Sequence, residues 1–285
     1  MNKASLVECP RDAMQGWKHF IPTGEKIRYI NSLLKVGFDT IDFGSFVSSK
    51  AIPQMADTTA VLKRLQLEGT RSKLLAIIAN VRGAEDAVRF DTIHYLGFPF
   101  SISPTFQQRN TNSSMEESLV RVEEIQQLCQ RNGKELVIYL SMGFGNPYGD
   151  PYDDTVLLQW ADEMVNRGIK IISLADTVGV AAPKQILTAV TTLVSKYPDT
   201  TVGVHLHSTH QNWREKLDAA VAGGCTRFDG ALKGIGGCPM AGDDLVGNMD
   251  TERMLGYFRE RQMLGPIDED ALSESLIIAS EIFGQ

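Results

Sequence analysis

At 285 residues, 43% hydrophobic and 22% charged, the chain has enough apolar material for a sizeable folded core. Its 28 basic against 35 acidic residues give a net charge of −7, which argues against a nucleic-acid binder and against attachment to an anionic membrane. No apolar run reaches the roughly 20 residues of a membrane span, the opening leaves no room for a signal peptide, and four cysteines without CxxC spacing suggest a reducing cytoplasm rather than a disulfide framework.

In chain order, the first strand-like run is residues 6–9, which leads into Arg11-Asp12. A helical stretch from Lys26 places Ile27, Ile30, Leu33 and Leu34 on one face. Residues 40–43 lead to Ser45, residues 74–79 to Asn80, and residues 98–102 to Ser103. Ser114 and Glu117 form a capping box, and Leu119, Val122, Ile125 and Leu128 follow at helical spacing. Residues 136–140 lead to Ser141 and residues 170–174 to Asp176. Pro183 suits the first turn of the next helix. Residues 201–206 run into His205 and His207, and residues 227–231 lead to Lys233. Gly37, Gly97, Gly133, Gly168 and Gly224 fall between helix and strand, where a left-handed stop is expected. From about residue 251 the chain reads as helix, broken at Gly265-Pro266.

Eight strands alternating with helices predict a (β/α)8 TIM barrel with extra C-terminal helices. The expected organisation is one domain over residues 1–285, with the barrel over about 5–250 and the added helices over about 251–283. A doubly wound open sheet is the alternative, but it does not explain why a polar residue follows nearly every strand. In a barrel those positions form one circle, the usual seat of the chemistry.

Alternate residues of a strand share a side, so His205 and His207 project together. Two imidazoles at that spacing suit adjacent positions on one metal ion; the alternative is a hydrogen-bonding pair without metal. Asp12, at the end of the first strand, lies near the seventh and eighth in a closed barrel, and Asn248 can reach the same side. A His/His/Asp/Asn set fits Mg²⁺ or Mn²⁺ better than structural zinc. Arg11 beside Asp12 supplies a fixed cation of the kind that an enolate oxygen needs during carbon–carbon cleavage, although an isolated Arg-Asp pair is more often a surface ion pair. "GIGGCPMAGDDLVGN", residues 234–248, has five glycines and reads as a lid. Its Cys238 is an acid/base candidate or an inert loop thiol, whereas Cys9, Cys129 and Cys225 read as core.

"VECPRDAMQ", "SFVSSKAIPQMAD", "ISLADTVGVAAP", "VHLHST" and "GIGGCPMA…GN" resemble, in order, the signatures of the 3-hydroxy-3-methylglutaryl-CoA lyase family, within the metallolyase TIM-barrel superfamily. The resemblance implies retro-Claisen cleavage of an acyl-CoA substrate to acetyl-CoA and acetoacetate, a step of leucine degradation. It implies that Arg11 stabilises the enolate and that Asp12, His205, His207 and Asn248 bind Mg²⁺ or Mn²⁺. His205 would move the hydroxyl proton and Cys238 would take part in proton transfer. Lys18, Asp42, Ser45, Ser173 and Asp176 match supporting, substrate-binding positions. The chain departs from the pattern at several points: Asp42 stands where glutamate is usual, Ser208 where aspartate is, Val137 where arginine is common and Asn146 where cysteine is common. These changes leave the metal set and Arg11 intact, so they bear on the acyl group, and a related 3-hydroxyacyl-CoA acid is an alternative substrate. A condensing synthase of the superfamily is a second reading, opposed by the short stretch after Asn248, and a non-catalytic barrel a third. A homo-oligomer is compatible with the chain, but nothing in the sequence fixes its assembly.

Overall fold

The computed structural model describes residues 3–237 and 246–284. Eight apolar runs form parallel strands: β1 (Ser5–Glu8), β2 (Thr40–Ser45), β3 (Lys73–Ile77), β4 (Ile93–Ser101), β5 (Glu135–Ser141), β6 (Ile171–Ala175), β7 (Thr201–His205) and β8 (Arg227–Gly230). Each pairs with the next, and β8 pairs back with β1 through Ser5↔Arg227 to Glu8↔Gly230, which closes the barrel. This is the TIM barrel the sequence predicts. Helices α1 (Pro10–Gln15) and α2 (Thr23–Val36) follow β1, α3 (Thr58–Leu62) follows β2, and α4 (Val81–Ala87) follows β3. Helices α5 (Pro104–Thr111) and α6 (Met115–Arg131) follow β4, α7 (Asp154–Asn166) follows β5, α8 (Pro183–Lys196) follows β6, and α9 (Trp213–Ala222) follows β7. After β8 come α10 (Thr251–Glu260) and α11 (Glu269–Phe283).

Strand alternation divides the interior in two. One set of side chains, including Ile41, Leu74, Phe98, Ile138, Val204 and Phe228, packs outward against the helices. The other set points inward, where Leu75, Ile77, Val137, Tyr139 and Ile171 form a smaller apolar cluster. Burying each large apolar side chain contributes about 1.5–3 kcal/mol. Added helix α11 lies on α2, where Ser275 Oγ donates to Ser32 Oγ at 2.9 Å and the Phe283 ring meets Trp17 and Tyr29 edge-on.

Two expectations are corrected by the structure. Gly37, Gly133, Gly168 and Gly224 are left-handed, but Gly97 is not among the positive-φ residues; it lies inside β4. A Cβ there would fall 2.6 Å from Ile77 Cδ1, so this glycine supplies space in the barrel rather than a turn. The circle of polar residues beyond the strands is also mixed in purpose. Asn80 and Ser103 cap helices, accepting from Gly83 N at 2.9 Å and Phe106 N at 3.2 Å. Lys233 is exposed and donates to Ser280 Oγ at 2.6 Å.

Glu8 ties the end of β1 to the segment beyond β8. Its carboxyl is fully buried, accepts from Leu232 N at 2.8 Å and bonds Thr251 Oγ1 at 2.6 Å. Burial pushes its pKa up from 4.5 to about 8, against the pull of the Thr251 and Leu232 hydrogen bonds. The folded protein therefore binds this proton more tightly than the unfolded chain. That stabilising contribution is full below the unfolded value and is lost as the pH rises toward about 8. Glu8→Gln keeps both hydrogen bonds without the ionisation. It is expected to remove a loss of stability of up to about 1.4 kcal/mol per pH unit in that window. Urea denaturation of both proteins between pH 5 and 8 measures the difference, and parallel profiles would show that Glu8 folds as an ordinary carboxylate.

Candidate functional site

At the C-terminal ends of the strands lies a cavity of about 500 Å³. Arg11, Asp12, Asp42, Tyr139, Ser141, His205 and His207 supply its polar and aromatic floor, and Val47, Ile52, Pro53 and Phe106 supply apolar wall. Pro10 opens α1 directly after β1, so the short helix turns Arg11 and Asp12 over the barrel mouth.

Arg11 is buried and four of its five guanidinium N–H groups are engaged, leaving one on Nη2. Nε and Nη2 donate to Asp42 Oδ2 at 3.0 and 2.6 Å, and Nη1 donates to Asp12 Oδ1 and Gln15 Oε1, both at 2.8 Å. Burial works against the charge, but Asp42 and Asp12 more than restore it and raise the pKa. The two carboxylates diverge. Burial pushes Asp42 up to about 6 in spite of Arg11, and its Oδ1 has no partner among the described residues. Asp12 is also opposed by burial, yet Arg11, His205 and an Asn248 hydrogen bond bring it down to about 2.

His205 and His207 stand with ring centroids 5.5 Å apart, on the side that strand alternation predicts. Burial, then the His205 charge, lowers His207 to about 3, which keeps its imidazole neutral. The His205 pKa is raised: burial opposes its charge, but Asp229 and Asp12 prevail. The segment after β8 zips against the end of β7 through Met249 N→Leu206 O at 3.1 Å and Ser208 N→Gly247 O at 3.0 Å. That pairing sets Asn248 opposite His207 and lets Asn248 Nδ2 donate to Asp12 Oδ2 at 2.8 Å. Asn248 Oδ1 is buried without a donor among the described residues.

Asp12, His205, His207 and Asn248 thus meet, and their chemistry fits a divalent cation: two imidazoles, a carboxylate held ionised, and an amide oxygen that lacks a donor. A different group, Cys9, His205 and Asp229, is the one whose ligand atoms already lie within 4.8 Å of one another among the described residues; Asp12, His205 and His207 are more widely spaced. Burial holds the Cys9 thiol well above its ordinary pKa, and Asp229 is already engaged with His205. We therefore favour Asp12, His205 and His207, which line the cavity, together with the Asn248 amide bonded to Asp12.

The other sequence candidates divide. Asp42 lines the cavity against Arg11. Ser45 turns the chain out of β2, with its Oγ accepting from Val47 N at 3.2 Å. Ser173 is buried in the barrel, its hydroxyl unpartnered among the described residues. Asp176 faces away from the cavity. Its Oδ2 accepts from Lys216 Nζ at 2.7 Å, and the same ammonium donates to the His207 carbonyl at 2.8 Å. Lys18 is exposed and outside the cavity lining, and Cys238 lies outside the described residues. Gln15, Lys216 and Asp229 were missed from sequence. Gln15 is signalled by its helical spacing, four residues beyond Arg11, and Asp229 by being a charged residue within a strand. Lys216, on an amphipathic helix, gives no signal.

Residues 6–276 match the family model described as HMGL-like. The chain is 33% identical over 247 residues to the mitochondrial hydroxymethylglutaryl-CoA lyase of Mus musculus, covering 86% of this chain and 75% of that one. A Bacillus subtilis HMG-CoA lyase structure aligns with a TM-score of 0.93 at 29% identity, covering 100% of this chain and 95% of that one. An HMG-CoA lyase from Acinetobacter baumannii, in complex with coenzyme A and 3-methylmalate, aligns at 0.91 with 30% identity, covering 99% and 92%.

The Lys216–Asp176 pair is almost wholly buried, so removing one member strands the other. Lys216→Met is expected to cost about 3–5 kcal/mol of stability. Lys216→Met/Asp176→Asn, which removes the stranded charge, should recover part of that loss. Chemical denaturation measures both, and a single variant that loses under about 1 kcal/mol would mean the pair is dispensable.

Proposed function

Because the chain belongs to the HMGL-like family, we propose that its cavity cleaves 3-hydroxy-3-methylglutaryl-CoA to acetyl-CoA and acetoacetate. The observation that carries the reading is Arg11: a buried, permanently charged guanidinium lining the cavity beside Asp12, with two histidines on the same lining. The substrate class finds support in the relative bound to coenzyme A and 3-methylmalate. Asp12, His205, His207 and Asn248 would hold a divalent cation, Mg²⁺ or Mn²⁺, which when bound supplies Lewis-acid polarisation of the substrate oxygens.

The residues of the chain divide the remaining work. The substrate hydroxyl proton leaves to the His205–Asp12 pair. As it leaves, the carbinol C–O becomes a ketone, the adjacent carbon–carbon bond breaks, and its electron pair passes to the thioester as an enolate. Arg11 offers its remaining Nη2 N–H and its positive charge to the enolate oxygen, and a pre-organised cation in a water-poor site needs no rearrangement to do so. A proton delivered to the enolate carbon completes acetyl-CoA, and Cys238 is our candidate for that delivery. Asp42 and Gln15 keep Arg11 in place. In this reading the protein works in the cytoplasm, consistent with the buried, unpaired thiols of Cys9, Cys129 and Cys225. Among the described residues no helix is long and apolar enough to cross a membrane.

The direct test supplies 3-hydroxy-3-alkylglutaryl-CoA thioesters of increasing alkyl size with Mg²⁺ or Mn²⁺ and identifies the products by mass spectrometry. Acetyl-CoA and acetoacetate from the methyl compound are expected; cleavage of a larger homologue alone would move the assignment to a related acid. Chelation should abolish turnover and either cation restore it, whereas full activity in a verified metal-free preparation would sink the cation assignment. Arg11→Met should lower kcat far more than it raises KM, a loss on the order of 3–5 kcal/mol, because the enolate charge exists only after bond cleavage begins. A change confined to KM would make Arg11 a binding residue. Cys238→Ser should lower kcat by about 10²–10⁴-fold if the thiol carries a proton, and near-normal turnover would remove it from the mechanism.

A further inference from the structure

Behind His205 the barrel interior is charged. Asp229 Oδ2 lies 3.3 Å from His205 Nδ1, and Arg227 Nη1 lies 3.9 Å from Asp229 Oδ1. The Asp229 side chain is fully buried and that of Arg227 is 6% exposed. Arg227 Nε and Nη2 and Asp229 Oδ1 have no hydrogen-bond partner among the described residues. A pair so poorly satisfied does not stabilise the fold; apolar side chains of similar volume would fill the space at lower cost. The barrel nevertheless makes room for it. Gly203 stands in register with Arg227, and a Cβ there would come within 3.2 Å of the arginine Cβ and Cγ.

Position explains the expense. His205 and Asp229 are in register on β7 and β8, and Arg227 occupies the next inward position below Asp229. A neutral imidazole carries one N–H, and the group that accepts it decides which nitrogen keeps its lone pair. Metal-binding histidines usually have that second nitrogen held by a carboxylate or carbonyl. Arg227 sets its guanidinium beside the other Asp229 oxygen, so the carboxyl is held from both ends.

We propose that Asp229 and Arg227 are positioning residues for His205: Asp229 accepts the Nδ1–H and so presents Nε2 to the cavity, and Arg227, beside the other Asp229 oxygen, keeps that carboxyl aimed at the ring. This rests on the cation reading above. It also sharpens that reading, because the two roles that the resemblance gives His205 compete for one nitrogen. With Nδ1 committed to Asp229, an Nε2 given to a cation cannot also accept the hydroxyl proton, which then falls to Asp12.

The test measures Mn²⁺ affinity of the whole protein by electron paramagnetic resonance, with circular dichroism and thermal unfolding as checks on folding, and kcat and KM at saturating Mn²⁺. Asp229→Asn, which is isosteric, should weaken Mn²⁺ binding by about 10–100-fold, with much of the turnover recovered at high Mn²⁺. Arg227→Met should do the same, and Arg227→Lys, which keeps the charge, should restore most of the affinity. Cys9→Ser should leave it unchanged. Asp229→Asn with unaltered affinity, alongside a weakened His207→Ala, overturns the positioning role while leaving the cavity-facing cation set standing. Arg227→Lys no better than Arg227→Met removes the charge argument. A Cys9→Ser loss as large as that of Asp229→Asn would put the cation on the inner Cys9–His205–Asp229 group and overturn the proposal. Wild-type protein that binds no Mn²⁺ would sink the underlying cation reading as well.

Discussion

The ladder between β1 and β8 closes the sheet, and it brings together side chains that the chain holds far apart. Asp12 and Asn248 are separated by 236 positions, yet they share a hydrogen bond at 2.8 Å. Glu8 reinforces the closure from the helix side by gripping Leu232 and Thr251, the two ends of the segment that delivers Asn248. Gly236 serves the same end by close approach. A Cβ there would come 2.6 Å from Asn248 Nδ2 and 3.0 Å from Ala13 Cα, so only a bare backbone can lie between the first helix and the amide. Without closure Arg11 and Asp12 would be an ordinary ion pair at a helix start.

Around that seam the site is built as a gradient of charge. Arg11 sits between Asp42 and Asp12, and the two carboxylates respond differently because their other neighbours differ. Asp12 gains the histidines and the Asn248 amide, whereas Asp42 has one oxygen without a partner among the described residues. The outcome is one carboxylate held firmly ionised, suited to a cation, and one that burial opposes and the Arg11 guanidinium holds in its ionised form. Deeper in the barrel the inward face changes from apolar on β3, β5 and β6 to charged on β8, where Asp229 and Arg227 stand beside and below His205.

Departures from the family pattern fall on two kinds of position. Asn146 accepts from the backbone N–H groups of Tyr148 and Asp150, holding the turn after β5 in shape. Val137 joins the inner apolar cluster. Neither alters a group that lines the cavity floor. Asp42 does, and its shorter side chain still reaches two nitrogens of Arg11.

What the sequence determined by itself was everything that depends on local periodicity. Eight apolar runs with helical stretches between them specified the barrel, and the two-residue spacing of His205 and His207 placed both rings on one side of a strand. The left-handed glycines at helix ends were legible for the same reason, since φ is a local property. The tertiary structure decided what depends on neighbours from other strands. Gly97 reads like a helix stop but is a space requirement set by Ile77 and Tyr139. Asp176 reads like a site residue but spends its charge on Lys216, which orients the His207 carbonyl from a helix. Asp229 stands out only as a charged residue within a strand, and the ring of the barrel shows that it faces His205 with Arg227 beside it. Side-chain direction along a strand is fixed by a period of two, but the partner it meets is fixed by register between strands, which no single run of sequence contains.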